Sequence, residues 1–299
     1  MPAGKMHPDE LDVDVPLVRR LIAGRFPEWA SLPVERIPSA GTVNAMFRLG
    51  DDMVVRLPLV TWGADDVLRE QRWLPRLGPR LPVAVPVPLG QGAPSGEYPL
   101  PWSVYNWLDG ENPAPGRVAD PHRLAADLAA FITALHRVDP ADGPPTSRGA
   151  PLATVDAQAR AAIEALRGMI DTEAATAAWE TALKAPEWDR PPRWLHADLM
   201  PGNLLLVGGR LSAVIDFGAV GVGDPACDLM VAWNLLPPPA RETFRTAVGL
   251  DDATWSRGRG RALAQALIAL PYYKDTNPTM AATARHTIAQ VLNAPEPVP

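Results

Sequence analysis

Cysteine and lysine are nearly missing from this chain. Of 299 residues one is cysteine, Cys227, and three are lysine, Lys5, Lys184 and Lys274. A lone cysteine excludes an intramolecular disulfide and any cysteine metal cluster, and it fits a reducing cytoplasm. Beside Asp228 it is expected to be a small buried filler. No run of about 18 apolar residues occurs, so no spanning helix is expected. The N-terminal M-P-A-G-K-M-H-P-D-E-L-D lacks the apolar core of a signal peptide. There is no basic stripe, and the net charge is −6, which argues against nucleic acid as a partner. What remains is a cytoplasmic protein, a monomer or homodimer, with ordinary hydrophobic content (47%) and enough length for two lobes around one cleft.

What the chain does have is one dense motif. W-L-H-A-D-L-M-P-G-N-L-L-L is followed by A-V-I-D-F-G, all within residues 194–218. His196, Asp198 and Asn203 fit H-x-D-x-x-x-x-N, and Asp216 opens D-F-G thirteen residues after Asn203. Phosphoryl transfer from a nucleotide needs a carboxylate to orient and deprotonate an acceptor hydroxyl; Asp198 suits that role. It also needs an amide and a second carboxylate to hold Mg²⁺ against the phosphates; Asn203 and Asp216 suit those. A lone D-F-G would be weak, but order, spacing and apolar flanks together are specific. Leu204–Val207 and Leu211–Ile215, separated by Gly208-Gly209-Arg210, predict a β-hairpin that starts at Asn203 and ends at Asp216. His196 is expected to brace the loop by hydrogen bonds rather than move protons.

With these residues in place, the chain resembles the aminoglycoside phosphotransferase family, small-molecule kinases that share the protein-kinase fold. Gly223-Asp224-Pro225-Ala226-Cys227-Asp228-Leu229 matches that family's G-D-P-x-x-D-L element. Only Ala219 to Gly223 separate Gly218 from Asp224, and no A-P-E follows, which favours a small-molecule acceptor over a protein. The resemblance implies that Asp224 and Asp228 buttress the catalytic loop. It covers roughly residues 30–275.

The same resemblance directs attention to the nucleotide side. Kinases of this fold hold the donor phosphates with a strand lysine paired to a helix glutamate. Here the matching strand, Met53-Val54-Val55-Arg56-Leu57, carries Arg56, and Glu70 on the next helix is its natural partner. Arginine can neutralise phosphate through two nitrogens and keeps its proton, though its reach differs from that of lysine. The flap Ser39-Ala40-Gly41-Thr42-Val43-Asn44 has one glycine in place of G-x-G-x-x-G, but Gly41 and Thr42 could still let backbone amides approach phosphate. The hinge is expected to read a purine edge through the Asn106 carbonyl and the Leu108 amide, with Trp102, Tyr105 and Trp107 packing. Main-chain recognition leaves ATP and GTP undistinguished.

Periodicity predicts strands followed by helices, an α+β two-lobed architecture, and the resemblance implies that this is the protein-kinase-like fold. A flexible start leads to a helix carrying Leu17, Leu21, Ile22 and Phe26. Strands over 45–49 and 53–57 flank a turn at Gly50-Asp51-Asp52. A helix over 65–77 has Val67, Leu68, Trp73, Leu74 and Leu77 on its apolar side. An extended proline-laced connector spans 81–89, and an aromatic strand spans 99–108. Helices then dominate, over 121–137, 155–166, 173–183 and, after the catalytic hairpin, in several more to about residue 292, before a disordered tail. The nucleotide lobe is placed at 1–105, the hinge at 106–110 and the helical lobe at 111–299.

The acceptor is the open question. Asp156, Glu187, Asp189, Trp233, Asn234, Tyr272, Tyr273 and Asp275 are candidates for its pocket. The resemblance implies an antibiotic hydroxyl, of aminoglycoside, macrolide or nucleoside type, in resistance or self-protection. Sugar, choline or homoserine kinases and a nucleotide-binding pseudokinase scaffold are the alternatives.

Overall fold

A computed structural model describes residues 9–38 and 43–293. The first eight residues, the tail after Asn293, and Gly41 and Thr42 of the flap lie outside the described residues. The chain forms two compact units, one of residues 1–79, 84–109 and 215–218, the other of 80–83, 110–214 and 219–299.

The first unit begins with helix α1 (Val15–Arg25), whose N-cap Asp14 accepts the Leu17 N–H at 2.8 Å and offsets one unpaired amide of the first turn. Its buried side, Leu17, Val18, Leu21 and Ile22, packs into one core with Phe47, Leu49, Val55 and Trp102. Five antiparallel strands follow: β1 (Val34–Ile37), β2 (Asn44–Leu49), β3 (Met53–Pro58), β4 (Pro88–Gly92) and β5 (Trp102–Asn106), in the order β1-β2-β3-β5-β4. Along β2 the alternation is regular, with Ala45, Phe47 and Leu49 buried and their neighbours half-buried. The β2–β3 turn places Gly50 at φ +59°, in the left-handed region where glycine carries no Cβ penalty.

Two expectations need correction here. The segment 81–89 is not wholly a connector, because Pro88 and Leu89 begin β4. That strand lies at the sheet edge and its register shifts between Pro88 and Gly90, which is where a strand tolerates proline. Helix α2 (Ala64–Leu77) buries Val67, Glu70, Trp73, Leu74 and Leu77, whereas Leu68 is 50% exposed. The 3.6-residue period carries Leu68 off the face that 67, 70, 74 and 77 share, so a glutamate takes a core position.

The second unit is mostly helical: α3 (Pro121–His136), α4 (Asp156–Ala165), α5 (Thr172–Lys184), α6 (Val231–Asn234), α7 (Pro238–Val248), α8 (Asp252–Tyr273) and α9 (Pro278–Leu292). Among them run two small antiparallel ladders. One pairs β6 (Arg193–Leu195) with β9 (Gly221–Gly223). The other is the expected hairpin, β7 (Leu204–Val207) with β8 (Arg210–Val214), turning at Gly208 and Gly209, both at positive φ. Strand β8 stops at Val214, one residue short of the expected end. Among the described residues no helix is long and apolar enough to cross a membrane.

Helix α8 carries two glycines in its interior, Gly258 and Gly260, each about 1 kcal/mol worse than alanine by propensity alone. Packing explains Gly258. A Cβ there would lie 2.8 Å from Leu229 Cβ and 3.2 Å from the Ala226 carbonyl oxygen, inside the 225–230 segment that carries Asp228. Gly258→Ala should therefore destabilise the protein by about 1–3 kcal/mol, despite its better helix propensity. Chemical denaturation checks the sign; an unchanged or raised midpoint would show that this contact yields freely.

Candidate active site

In the second unit, β6 leads into a loop whose backbone is held from below. Ala197 has φ +67°, a conformation that costs a residue with a Cβ about 1–2 kcal/mol. Asp228, fully buried, offsets that cost: its Oδ1 accepts the Ala197 N–H at 2.8 Å and its Oδ2 the His196 N–H at 3.1 Å. The 3-10 segment carrying Asp228, Pro225–Met230, is capped by Asp224, which accepts the Ala226 N–H and pairs with the buried Arg257 through Nε at 2.7 Å and Nη2 at 3.1 Å. Both G-D-P-x-x-D-L aspartates thus buttress the loop. His196, also fully buried, accepts the Asp198 N–H at Nδ1 (3.2 Å), a bracing bond rather than a proton relay. Burial, with the Asp228 charge adding to it, pushes the Cys227 thiol up to about 12, so it stays a neutral filler.

Asp198 follows the strained residue, and three side chains converge on it. Asn203 donates from Nδ2 to the Asp198 carbonyl at 2.8 Å. Arg148 makes a close ion pair with Asp198 Oδ1. Gln265, from α8, donates to the same oxygen at 3.2 Å. The sequence reading missed Arg148 and Gln265, which lie 50 and 67 residues from Asp198 and belong to no local motif.

The first unit assembles a second cluster around Glu70. Arg56 is 8% exposed on β3, so it is no surface arginine. Its Nη1 lies 2.8 and 2.9 Å from the two Glu70 oxygens, and its Nη2 lies 2.5 Å from Asp216 Oδ1. Glu70 also accepts the Tyr105 hydroxyl at 2.6 Å and the Phe217 N–H at 2.8 Å. The Asn44 amide oxygen, turned toward Arg56, accepts from Nη2 at 2.9 Å and Nε at 3.0 Å. Burial opposes the Arg56 charge, but Asp216 and Glu70 overcome it and hold the guanidinium proton more firmly than usual. Burial and the Glu70 charge raise the Tyr105 phenol, so it remains a donor. Like Ala197, Asp216 has a left-handed backbone, φ +64°. Beside it, a Cβ on Gly218 would fall 2.8 Å from Asp66 Cγ, which explains the glycine of D-F-G. Burial, then the Asp216 charge, raises the Asp66 carboxyl to about 6.

The remaining expected positions fall in different surroundings. Asn106 ends β5, and its side-chain oxygen accepts the Val87 N–H at 2.6 Å; Leu108 follows outside any strand, half-buried. Asp156 accepts from Trp179 and Arg160, and Trp233 is buried. Asn234 is buried and donates to the Leu199 carbonyl. Among the described residues no group of three or more His, Cys, Asp or Glu could hold a metal. Asn203 and Asp216 each carry an oxygen of the kind Mg²⁺ takes. The amide nitrogen of Asn203 is committed to Asp198, leaving its oxygen as the ligand atom, and Asp216 offers a carboxylate. Mg²⁺ characteristically takes one or two protein oxygens and completes its shell from phosphate and water.

Two substitutions probe these clusters. Asp228→Asn puts an amide group against one backbone N–H, and should cost about 1–3 kcal/mol of stability and lower turnover more than nucleotide affinity. Equal turnover in the folded variant would show that the loop holds itself. Arg56→Ala strands the buried Glu70 charge and should cost about 3–5 kcal/mol, whereas Arg56→Lys should remain folded with a higher nucleotide KM. A lysine variant with unaltered KM would rule the fork out of nucleotide binding.

Comparison with known proteins gives the family and the fold. The family model described as the phosphotransferase enzyme family matches residues 34–263. No curated protein sequence matches. Among solved structures, the GDP complex of wild-type aminoglycoside 2'-phosphotransferase-IIIa is 20% identical with a TM-score of 0.73, over 94% of this chain and 99% of that one. A streptomycin–ATP ternary complex of APH(2″)-IIa is 16% identical with a TM-score of 0.60, over 94% and 97%. The apoenzyme of macrolide 2'-phosphotransferase MphH from Brachybacterium faecium is 24% identical with a TM-score of 0.59, over 95% and 99%. The fold is kinase-like, and the chain belongs to the phosphotransferase enzyme family.

Proposed function

We propose that the chain moves the γ-phosphate of ATP or GTP, with Mg²⁺, to a hydroxyl of a small molecule, an antibiotic being the leading class. The observation that carries this reading is the support given to Asp198: a strained Ala197 pinned by Asp228 and an amide brace from Asn203 hold its backbone, while Arg148 and Gln265 engage its carboxylate. Left-handed non-glycine backbone of this kind clusters at functional sites, which fits a catalytic role for the residue that follows it. Asp198 would accept the acceptor proton as its oxygen bonds to phosphorus and the bond to the leaving nucleoside diphosphate breaks. Asn203 and Asp216 would hold Mg²⁺, which supplies charge neutralisation to the phosphates when bound. Arg56, kept cationic by Glu70 and Asp216, would serve the donor phosphates, and Asn106 and Leu108 the purine edge. The nucleotides and antibiotics bound by similar structures support both sides of this assignment.

The two aspartates should fail differently. Asp198→Asn should lose about 10²–10⁴ in turnover while nucleotide binding persists, since the base acts on the acceptor. Asp216→Ala should abolish the Mg²⁺ dependence of nucleotide affinity. Titration of each variant with nucleotide, with and without Mg²⁺, alongside a transfer assay, separates the two. Near-parent turnover in Asp198→Asn would sink the assignment of the base.

A further inference from the structure

A small cavity of about 30 Å³ in the helical unit begins at the catalytic loop. Met200, two residues after Asp198, and Gln265, bonded to its carboxylate, form part of the wall. Met230 and Met280 supply more, and alanines of α8 and α9 fill the intervals. None of its lining residues is charged. Its most buried amide is Asn234, 2% exposed. The Asn234 Nδ2 donates to the Leu199 carbonyl at 2.9 Å, which fixes the orientation of the amide. Its Oδ1 is buried with no hydrogen-bond partner. An orphaned acceptor costs about 1–3 kcal/mol, a penalty that a ligand donor would remove. The space is large enough for a small group to enter, and methionine walls can repack around more.

Electrostatics points the same way. Arg148 sits on Asp198 itself, so a protonated amine next to the reacting hydroxyl would meet a guanidinium on one side and an uncharged wall on the other. Burying an unpaired charge there is costly. We infer that this cavity is the acceptor's subsite, and that the acceptor is a hydroxyl compound with an apolar, sparsely charged body and a donor group for Asn234, not a polycation. The inference rests on Asp198 being the base.

The test offers the full chain, ATP or GTP, and Mg²⁺ with two probe sets: the polycations kanamycin and gentamicin, and macrolactones with neutral polyols bearing apolar rings. Transfer is scored by the mass gain of one phosphoryl group, and nucleotide hydrolysis is followed in parallel. The apolar set should be phosphorylated with the higher kcat/KM. Ala269→Phe, at the half-buried rim of the cavity, should raise the KM for those acceptors about tenfold or more with its melting transition retained. Met280→Glu, which places a carboxylate in the wall, should shift selectivity toward polycations, an effect that loss of folding would not give. Preferred phosphorylation of the polycations, an unmoved KM in Ala269→Phe, or Mg²⁺-dependent hydrolysis with no apolar probe accepted would each overturn the inference while sparing the phosphotransferase reading. Absence of both hydrolysis and transfer would overturn that reading and the inference with it.

Discussion

The structure depends on buried carboxylates that accept backbone N–H groups beside strained residues. Glu70 grips Phe217, next to left-handed Asp216; Asp228 grips His196 and Ala197, Ala197 itself being left-handed. Charge-assisted bonds of this kind are stronger than neutral ones, and each carboxylate is fully or almost fully buried. Strain at the two loops is therefore held in place by acids that touch no reacting atom. Around each acid further groups gather: Arg56 and the Tyr105 hydroxyl at Glu70, and His136 Nε2 3.5 Å from Asp228.

The arginine in place of lysine fits this arrangement. A lysine on β3 is a single compact charge, whereas the Arg56 fork engages Glu70 with one nitrogen and Asp216 with the other. The substitution thus ties the D-F-G aspartate into the sheet, through β3, as well as supplying positive charge. In the role proposed for Arg56, phosphate arriving at this fork would compete with the carboxylates already bonded to it, and would couple donor binding to the position of Asp216.

Much of this was legible in the sequence, for physical reasons. Asp198, Asn203 and Asp216 belong to one short stretch of sequence built around the β7–β8 hairpin, so their order and spacing can be read locally. The Arg56–Glu70 pair joins neighbouring elements, a strand and the helix after it. The rest depended on contacts with no local signature. Tyr105 was expected only to pack, but its hydroxyl reaches Glu70 from β5, which pairs with β3 although α2 and β4 lie between them in sequence. Gln265 is one polar residue in a long buried helix, and Arg148 lies in a short 3-10 turn; only the fold brings them to Asp198. The prolines of 81–89 concealed an edge strand, because proline reports a missing donor and not which side of the strand needs one.

The account stands or falls on transfer itself. Nucleotide labelled on the γ-phosphate, incubated with the protein and a pool of hydroxylated small molecules, should place label on an acceptor only when Mg²⁺ is present, with stoichiometric nucleoside diphosphate released. Label confined to intact nucleotide or to inorganic phosphate, with every acceptor unmodified, would contradict it.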